Sequence, residues 1–381
     1  NAELYGLYTR LVDETEIFPN KQALPGTPTT ISTFDLDYEP MFKGPYNYLA
    51  KGLSFDSKTG RLMLPNPQNN WAGIQRDIDY NDFEEANIEY IQFWVLDPYL
   101  INTTSTGGEL YINLGNVSED VMKDGRMFYE NGLPTSANPS QTIDSSKWGR
   151  FPTIPPITNS FDTDPNSREF QDVGYDGFRD ADEQSFFSKY LDSLQLLYGP
   201  GNILSTATSD PSNDDYRYFN DDFYNNSSDG ILIRYKKYNG ADGNSPVSNP
   251  NQSISSAATN IPESEDLNRD NTLSETEEYF QYKVEMQPNM QVGTNYITDE
   301  IDTPVYDRDG NLVGQERWYQ FKIPIEDYER KIGNIQDFKS IRFMRMFLTG
   351  FEDSVVMRFG LLQLTRNVWR KFKYKVDSTG L

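Results

Sequence analysis

The sequence predicts a mainly β protein: a jelly-roll-like antiparallel β-sandwich interrupted by a long insertion of loops and short helices. Three observations carry that prediction. Aromatic residues make up 14% of the chain, so large rings can fill a core although hydrophobic residues total only 36%. Tyr, Phe, Val, Ile and Thr gather in short runs separated by Gly and Pro, which is the pattern of strands and turns. These runs also fall in two blocks, 27–117 and 279–375, on either side of a polar middle at 118–278. With 381 residues the chain can build one large domain or two to three ordinary ones.

Residues 1–26 form an N-terminal extension. Asn1-Ala2-Glu3-Leu4 has neither the basic nor the apolar region of a signal peptide, so the sequence is expected to be a mature protein or a piece of a longer one. The first block carries strand-like runs at Ile31–Tyr38, Gly52–Asp56, Arg61–Leu64, Gly73–Asp77, Ile88–Leu96 and Glu109–Leu114. Turn signals such as Lys43-Gly44-Pro45 and Thr106-Gly107-Gly108 punctuate them. In the middle, Ser118 can cap a short helix running to Glu130, stopped by Gly132 and Pro134. A second helix is predicted over 181–198, where Phe186, Phe187, Tyr190, Leu191, Leu194 and Leu197 recur at helical spacing, and Gly199-Pro200 ends it. Residues 205–230 and 239–265 are rich in Ser, Asn, Asp and Gly and read as long loops.

Strands return at Tyr279–Met286, Gln315–Pro324, Ser340–Leu348, Ser354–Phe359 and Leu361–Trp369, with a hairpin turn at Asp307–Gly310. The two blocks are either halves of one sandwich or two separate sandwiches.

The chain has 58 acidic and 34 basic residues, a formal net charge of −24, which repels phosphate backbones and excludes nucleic acid as a natural partner. No apolar run is long enough for a transmembrane helix. The absence of Cys and His removes thiol nucleophiles, Ser-His-Asp triads, disulfides and His- or Cys-based zinc sites. A metal would have to sit on oxygen, which means calcium or magnesium.

Two segments have the spacing of calcium loops. In the first, Asp172, Asp176, the Phe178 carbonyl, Asp180 and Glu183 fall on the ligand positions, Gly177 sits at the sharp turn, and Gly174 leaves one carboxylate to be supplied from elsewhere. In the second, Asp266, Asn268, Asp270, Thr272, Ser274 and Glu277 take those positions, with Asn271 at the turn. Neither segment is flanked by helices on both sides, so the expected calcium is structural: it staples loops that have no core of their own. Acid pairs such as Glu84/Glu85 and Asp221/Asp222 do not by themselves make a glycosidase, and no catalytic residue is assigned. Trp71 and Trp318 would be the sugar-stacking candidates of an alternative reading, a surface carbohydrate-binding module.

Longer strings carry a resemblance. They include KGPYNY (43–48), WAGIQRDI (71–78), NDFEEANIEYIQFWVLDPY (81–99), GGELYINLGNVSEDVMKDGRMFYENGLP (107–134), WGRFPTIPPITNSFD (148–162) and QDVGYDGFRDADE (171–183). SEDLNRDNTLSETEEYFQYKV (264–284) and the stretch from Trp318 to Leu364 follow in order, whereas 205–260 carries none. Together they resemble the SprA/Sov family, the outer-membrane translocon of the type IX secretion and gliding-motility system of Bacteroidetes. The resemblance implies a soluble, non-catalytic piece of a large barrel protein that scaffolds or caps the pore. Its partners would be the rest of the barrel, a shuttle-type barrel protein, a plug and exported cargo. It would be outer-membrane-associated, preferably on the extracellular face, with the periplasmic face as the alternative. The basic, aromatic stretch 366–375 would lead back to a barrel strand.

Overall fold

The computed structural model describes residues 6–22, 26, 29–135, 139–156, 160–162, 164–225, 227, 229–245, 258–307 and 309–367. The predicted basic stretch therefore lies outside the described residues from 368 onward.

Ten strands build two five-stranded antiparallel sheets: β1 (Thr33–Tyr38), β2 (Trp71–Asp77), β3 (Ile88–Leu96), β4 (Gly108–Asn116), β5 (Glu278–Met286), β6 (Ile297–Tyr306), β7 (Leu312–Pro324), β8 (Arg330–Ile332), β9 (Phe343–Thr349) and β10 (Val355–Arg366). One sheet runs β8-β5-β4-β9-β2 and the other β6-β7-β3-β10-β1. Each sheet mixes strands from before and after the insertion, and early strands pair with late ones, β1 with β10 and β2 with β9. That nesting is the jelly-roll pattern, and neither sheet closes on itself.

Alternation along the strands explains the burial. Ile91, Phe93 and Val95 of β3 face Leu110, Ile112 and Leu114 of β4 across a single core that also takes in Tyr282, Phe321 and Phe359. Phe93 stacks on Phe321 with ring centroids 5.0 Å apart. The opposite face of the second sheet is covered by the N-terminal extension, whose Val12 and Ile17 pack on Trp94, Leu96 and Trp318. Arg358 fixes that cover by donating to the carbonyls of Leu7 and Arg10.

The predicted elements differ from the observed ones in a few places. The described parts of Ser354–Phe359 and Leu361–Trp369 are not two strands: Val355–Arg366 forms one, β10, with a bulge after Gly360 where Leu361 takes φ 59°, and residues 368 and 369 lie outside the described residues. The strand Ile297–Tyr306 was not foreseen. It reads ITDEIDTPVY, with acids on its exposed face and an internal Pro, as suits an edge strand. The helix expected over 118–130 does not form. The amides of Asp124 and Gly125 donate to the Asp120 carboxylate, and those of Met122 and Phe128 donate to Glu265, so side chains take what a helix would give to its own carbonyls.

The helix expected over 181–198 is broken in two, α1 (Asp180–Phe186) and α2 (Ser188–Tyr198). A third, α3 (Asn202–Ser209), runs into the stretch from 205 read as loop. Phe187 at the break stacks on Tyr48 with centroids 4.4 Å apart. Phe187, Tyr190, Leu194 and Ala207 then bury against Leu53 and against Leu62 of the short hairpin at 54–63, a small core separate from the sandwich.

Candidate metal centre

Of the buried acids in the insertion, Asp176, Glu183, Asp210 and Asp214 lie where four stretches of chain meet: 43–48, 172–183, 210–215 and 240–242. Glu183 points from the first turn of α1. Its Oε2 accepts the backbone N–H of Ser212 at 2.9 Å, while its Oε1 is buried without any hydrogen-bond partner. Ser212 is the hub of this meeting. Its hydroxyl donates to Asp176 and lies 2.9 Å from the Tyr48 hydroxyl, and its carbonyl accepts the N–H of Tyr46 at 2.8 Å. The Tyr46 hydroxyl donates to Asp214 Oδ2 at 2.7 Å and accepts the N–H of Tyr175 at 2.9 Å.

Around this hub the carboxylates form three overlapping groups: Asp176 with Glu183 and Asp214, Asp180 with Glu183 and Asp210, and Asp180 with Asp215 and Asp242. Within each group the facing oxygens lie within 4.8 Å of one another. The first group is fully buried and the last half-exposed. Two ammonium groups oppose the seven acids. Lys237 pairs with Asp210 at 2.8 Å, and Lys43 lies buried with its Nζ donating to the Pro211 carbonyl at 3.1 Å.

The electrostatics follow from burial and crowding. Desolvation, then the neighbouring Asp214 and Asp215, pushes the Asp242 carboxyl up to about 9. Desolvation and Asp215 raise Asp180 to about 7. Burial is the first cause that raises Asp176, Glu183 and Asp214; the charge of Asp214 adds to it at Asp176 and Glu183, and the charges of Asp210, Asp215 and Asp180 add to it at Asp214 against the Tyr46 hydrogen bond. Burial pulls the Lys43 ammonium down to about 8 despite Asp210 and Glu183 nearby. Without a cation, this cluster holds carboxylates that are reluctant to ionise.

The first predicted loop contributes Asp176, Asp180 and Glu183 to this cluster but does not close as a single loop. Asp172 turns away and accepts from the amide and hydroxyl of Ser245. The Phe178 amide donates to Asp176 Oδ1 at 2.9 Å, and its ring packs on Phe186 beneath Arg150. Gly174 is where the loop lacks a carboxylate. A Cβ there would collide with the Asp214 carboxylate, so an acid from elsewhere in the chain occupies that space.

In the second segment, Asp266 accepts the amides of Asp270 at 3.1 Å and Asn271 at 2.8 Å, and Asn271 adopts a left-handed φ of 60°. Asn268 Oδ1 also accepts the Asp270 amide, and Thr272 donates to Asp270. Ser274 donates its N–H to Glu119, which also takes the amides of Leu267 and Asn268. Glu277 is engaged by Arg345 through two 3.0 Å bonds, and Asp270 by Arg342 at 3.0 Å. Among the described residues, no group of three clustered acids includes any of these six.

Sequence reasoning missed Asp210, Asp214, Asp215 and Asp242, together with Lys43, Tyr46 and Ser212. The available signal was the density of Asp in SDPSNDD (209–215) and GADG (240–243), inside stretches read only as loop. Of the two tryptophans singled out for sugar stacking, Trp318 is buried under the N-terminal extension and Trp71 stands exposed on the edge strand β2. A surface groove of about 730 Å³ beside Met290, Tyr296 and Tyr328 shares no residue with the acidic centre.

Comparison with known proteins gives one family. A family model, SprA_N, described as motility related/secretion protein, matches residues 189–380. The match begins inside α2 and takes in Asp210, Asp214, Asp215, Asp242 and the last six sandwich strands, including the stretch 205–260 that carried no resembling string. No curated protein matches the chain.

Proposed function

Because the chain belongs to the SprA_N family of motility related/secretion proteins, we propose that it forms a non-catalytic domain of the type IX outer-membrane translocon, serving as scaffold or cap of the pore and as a docking surface for cargo or partner proteins. The family match is the observation that carries this reading. The ordered strings between 43 and 183, which precede the matched residues, extend the same likeness towards the N-terminus. Among the described residues no helix is long and apolar enough to cross a membrane, and the two sheets are open, so the described part adds a covered sandwich to whatever membrane structure holds it. The proposed neighbours are the remaining barrel, a shuttle-type barrel protein, a plug and exported cargo, at the outer membrane with the extracellular face preferred.

The test replaces residues 33–366 by a Gly/Ser linker in the native gene. The expected outcome is that cargo bearing the C-terminal sorting signal accumulates inside the cell envelope while the barrel still inserts. Normal export would overturn the reading. Because the chain has no cysteine, a single Leu196→Cys at an exposed position of α2 also reports the side. A membrane-impermeant maleimide labels it on intact cells only if the domain faces outward.

A further inference from the structure

We propose that Asp176, Glu183 and Asp214 bind calcium, with Asp180, Asp210, Asp215 and Asp242 completing the outer half of the same centre, so that one metal cluster ties together stretches of chain that share no sheet. One observation besides the clustering points to a ligand. Glu183 has no solvent-accessible surface, and its Oε1 has no hydrogen-bond donor, although the Glu183 carboxylate belongs to the same close group as those of Asp176 and Asp214. An isolated buried carboxylate oxygen is costly unless a cation or donor meets it. Gly174 lies at the ligand position that lacks a carboxylate, and the Asp214 side chain fills the space its Cβ would take, which is how an acid from outside 172–183 reaches the centre.

The donor chemistry selects the metal. Every available ligand is oxygen, and the protein has no Cys or His. The seven acids come from α1 and from loops at 176, 210–215 and 242 rather than from a rigid octahedral frame, which suits a cation that takes about six to eight oxygens in flexible geometry. The half-exposed Asp180, Asp215 and Asp242 leave room for water to complete the shell. Lys43 and Lys237 offset only part of the negative charge. This centre differs from a contiguous calcium loop, because Asp172 is held by Ser245 and four of the seven acids lie outside 172–183. It stands on side-chain geometry and is independent of the secretion reading.

The test is calcium titration by calorimetry on the whole EDTA-stripped chain, with magnesium in parallel. The wild type is compared with Glu183→Gln, Asp214→Asn and Asp266→Asn. Wild type should bind calcium in preference to magnesium, Glu183→Gln and Asp214→Asn should weaken it by about tenfold or more, and Asp266→Asn should leave that affinity unchanged. In EDTA, Glu183→Gln should unfold at or above the wild-type midpoint, because it removes like-charge crowding, yet gain less from added calcium. Absence of calcium binding by wild type, or unchanged affinity in both centre variants, overturns the proposal. So does loss of binding in Asp266→Asn alone, which would put the ion in the second segment. A Glu183→Gln midpoint below wild type in EDTA assigns the residue to packing instead. Should that variant not fold, Asp242→Asn on the half-exposed rim replaces it under the same criteria.

Discussion

The sandwich and the insertion are held together by opposite means. Between the sheets, Phe93, Leu110, Tyr282, Phe321 and Phe359 bury apolar surface, and the backbone satisfies itself in ladders. In the insertion the backbone is irregular, and buried carboxylates accept what ladders would have taken. Glu130 receives the amides of Val173, Gly174 and Glu263; Glu119 receives Leu267, Asn268 and Ser274; Glu265 receives Met122 and Phe128. The acidity of this chain is therefore not only a surface property. Part of it is internal and stands in for secondary structure, at an electrostatic cost that grows where such acids crowd, as around Glu183.

The sharpest break of that comparison lies in the sandwich. Phe321→Ala should cost about 3–5 kcal/mol in urea unfolding, equally with calcium or EDTA, because it opens a cavity against Phe93 in a core that contains none of the seven acids. A calcium-dependent loss would show that the two regions are not energetically distinct.

Next comes Glu130→Ala. It leaves two buried amides and a half-buried one without their acceptor, a loss of about 2–3 kcal/mol that hydrogen exchange should localise to 173–174 and 263 while β3 and β7 keep their protection. Uniform exchange throughout would mean that the insertion does not open on its own.

Calcium removal is a comparable perturbation. A site filled at a hundred times its dissociation constant contributes about 2.7 kcal/mol, so EDTA should lower the midpoint by a few degrees and admit protease first at 210–215 and 240–245. Cleavage beginning in the sandwich would count against a metal-held insertion.

The smallest effect is expected at an exposed pair. Arg317 donates to Asp302 at 2.6 and 2.8 Å on the surface of the edge hairpin, and these bonds hold the Asp302 carboxyl below its usual range. A depressed carboxylate stabilises the fold above its unfolded pKa, and that contribution disappears as pH falls through the lower folded value. Asp302→Asn should therefore cost no more than about 0.5 kcal/mol at pH 7, and the difference from wild type should vanish in acid and shrink in salt.

How far the sequence could be read follows the same division. Strands such as Ile88–Leu96 and Glu278–Met286 were legible because burial against a sheet imposes alternation and aromatic enrichment on neighbouring residues. The edge strand Ile297–Tyr306 was not, because a strand exposed along much of its length needs no apolar alternation. The helix expected at 118–130 failed for a non-local reason: its amides found Glu265, far along the chain. The candidate centre was half legible. Asp176, Asp180 and Glu183 share one segment with recognisable spacing, whereas Asp210, Asp214, Asp215 and Asp242 look like ordinary loop acids until the fold brings them together.

The sequence by itself determined the β class and the restriction of any metal to oxygen ligands, because alternation, turn residues and the lack of Cys and His are local or compositional properties. Only the tertiary structure decided that strands from both blocks share each sheet, that Trp318 is core while Trp71 is not, and which acids face one another. Those outcomes depend on contacts between residues far apart in the chain, and no periodicity in the sequence encodes them.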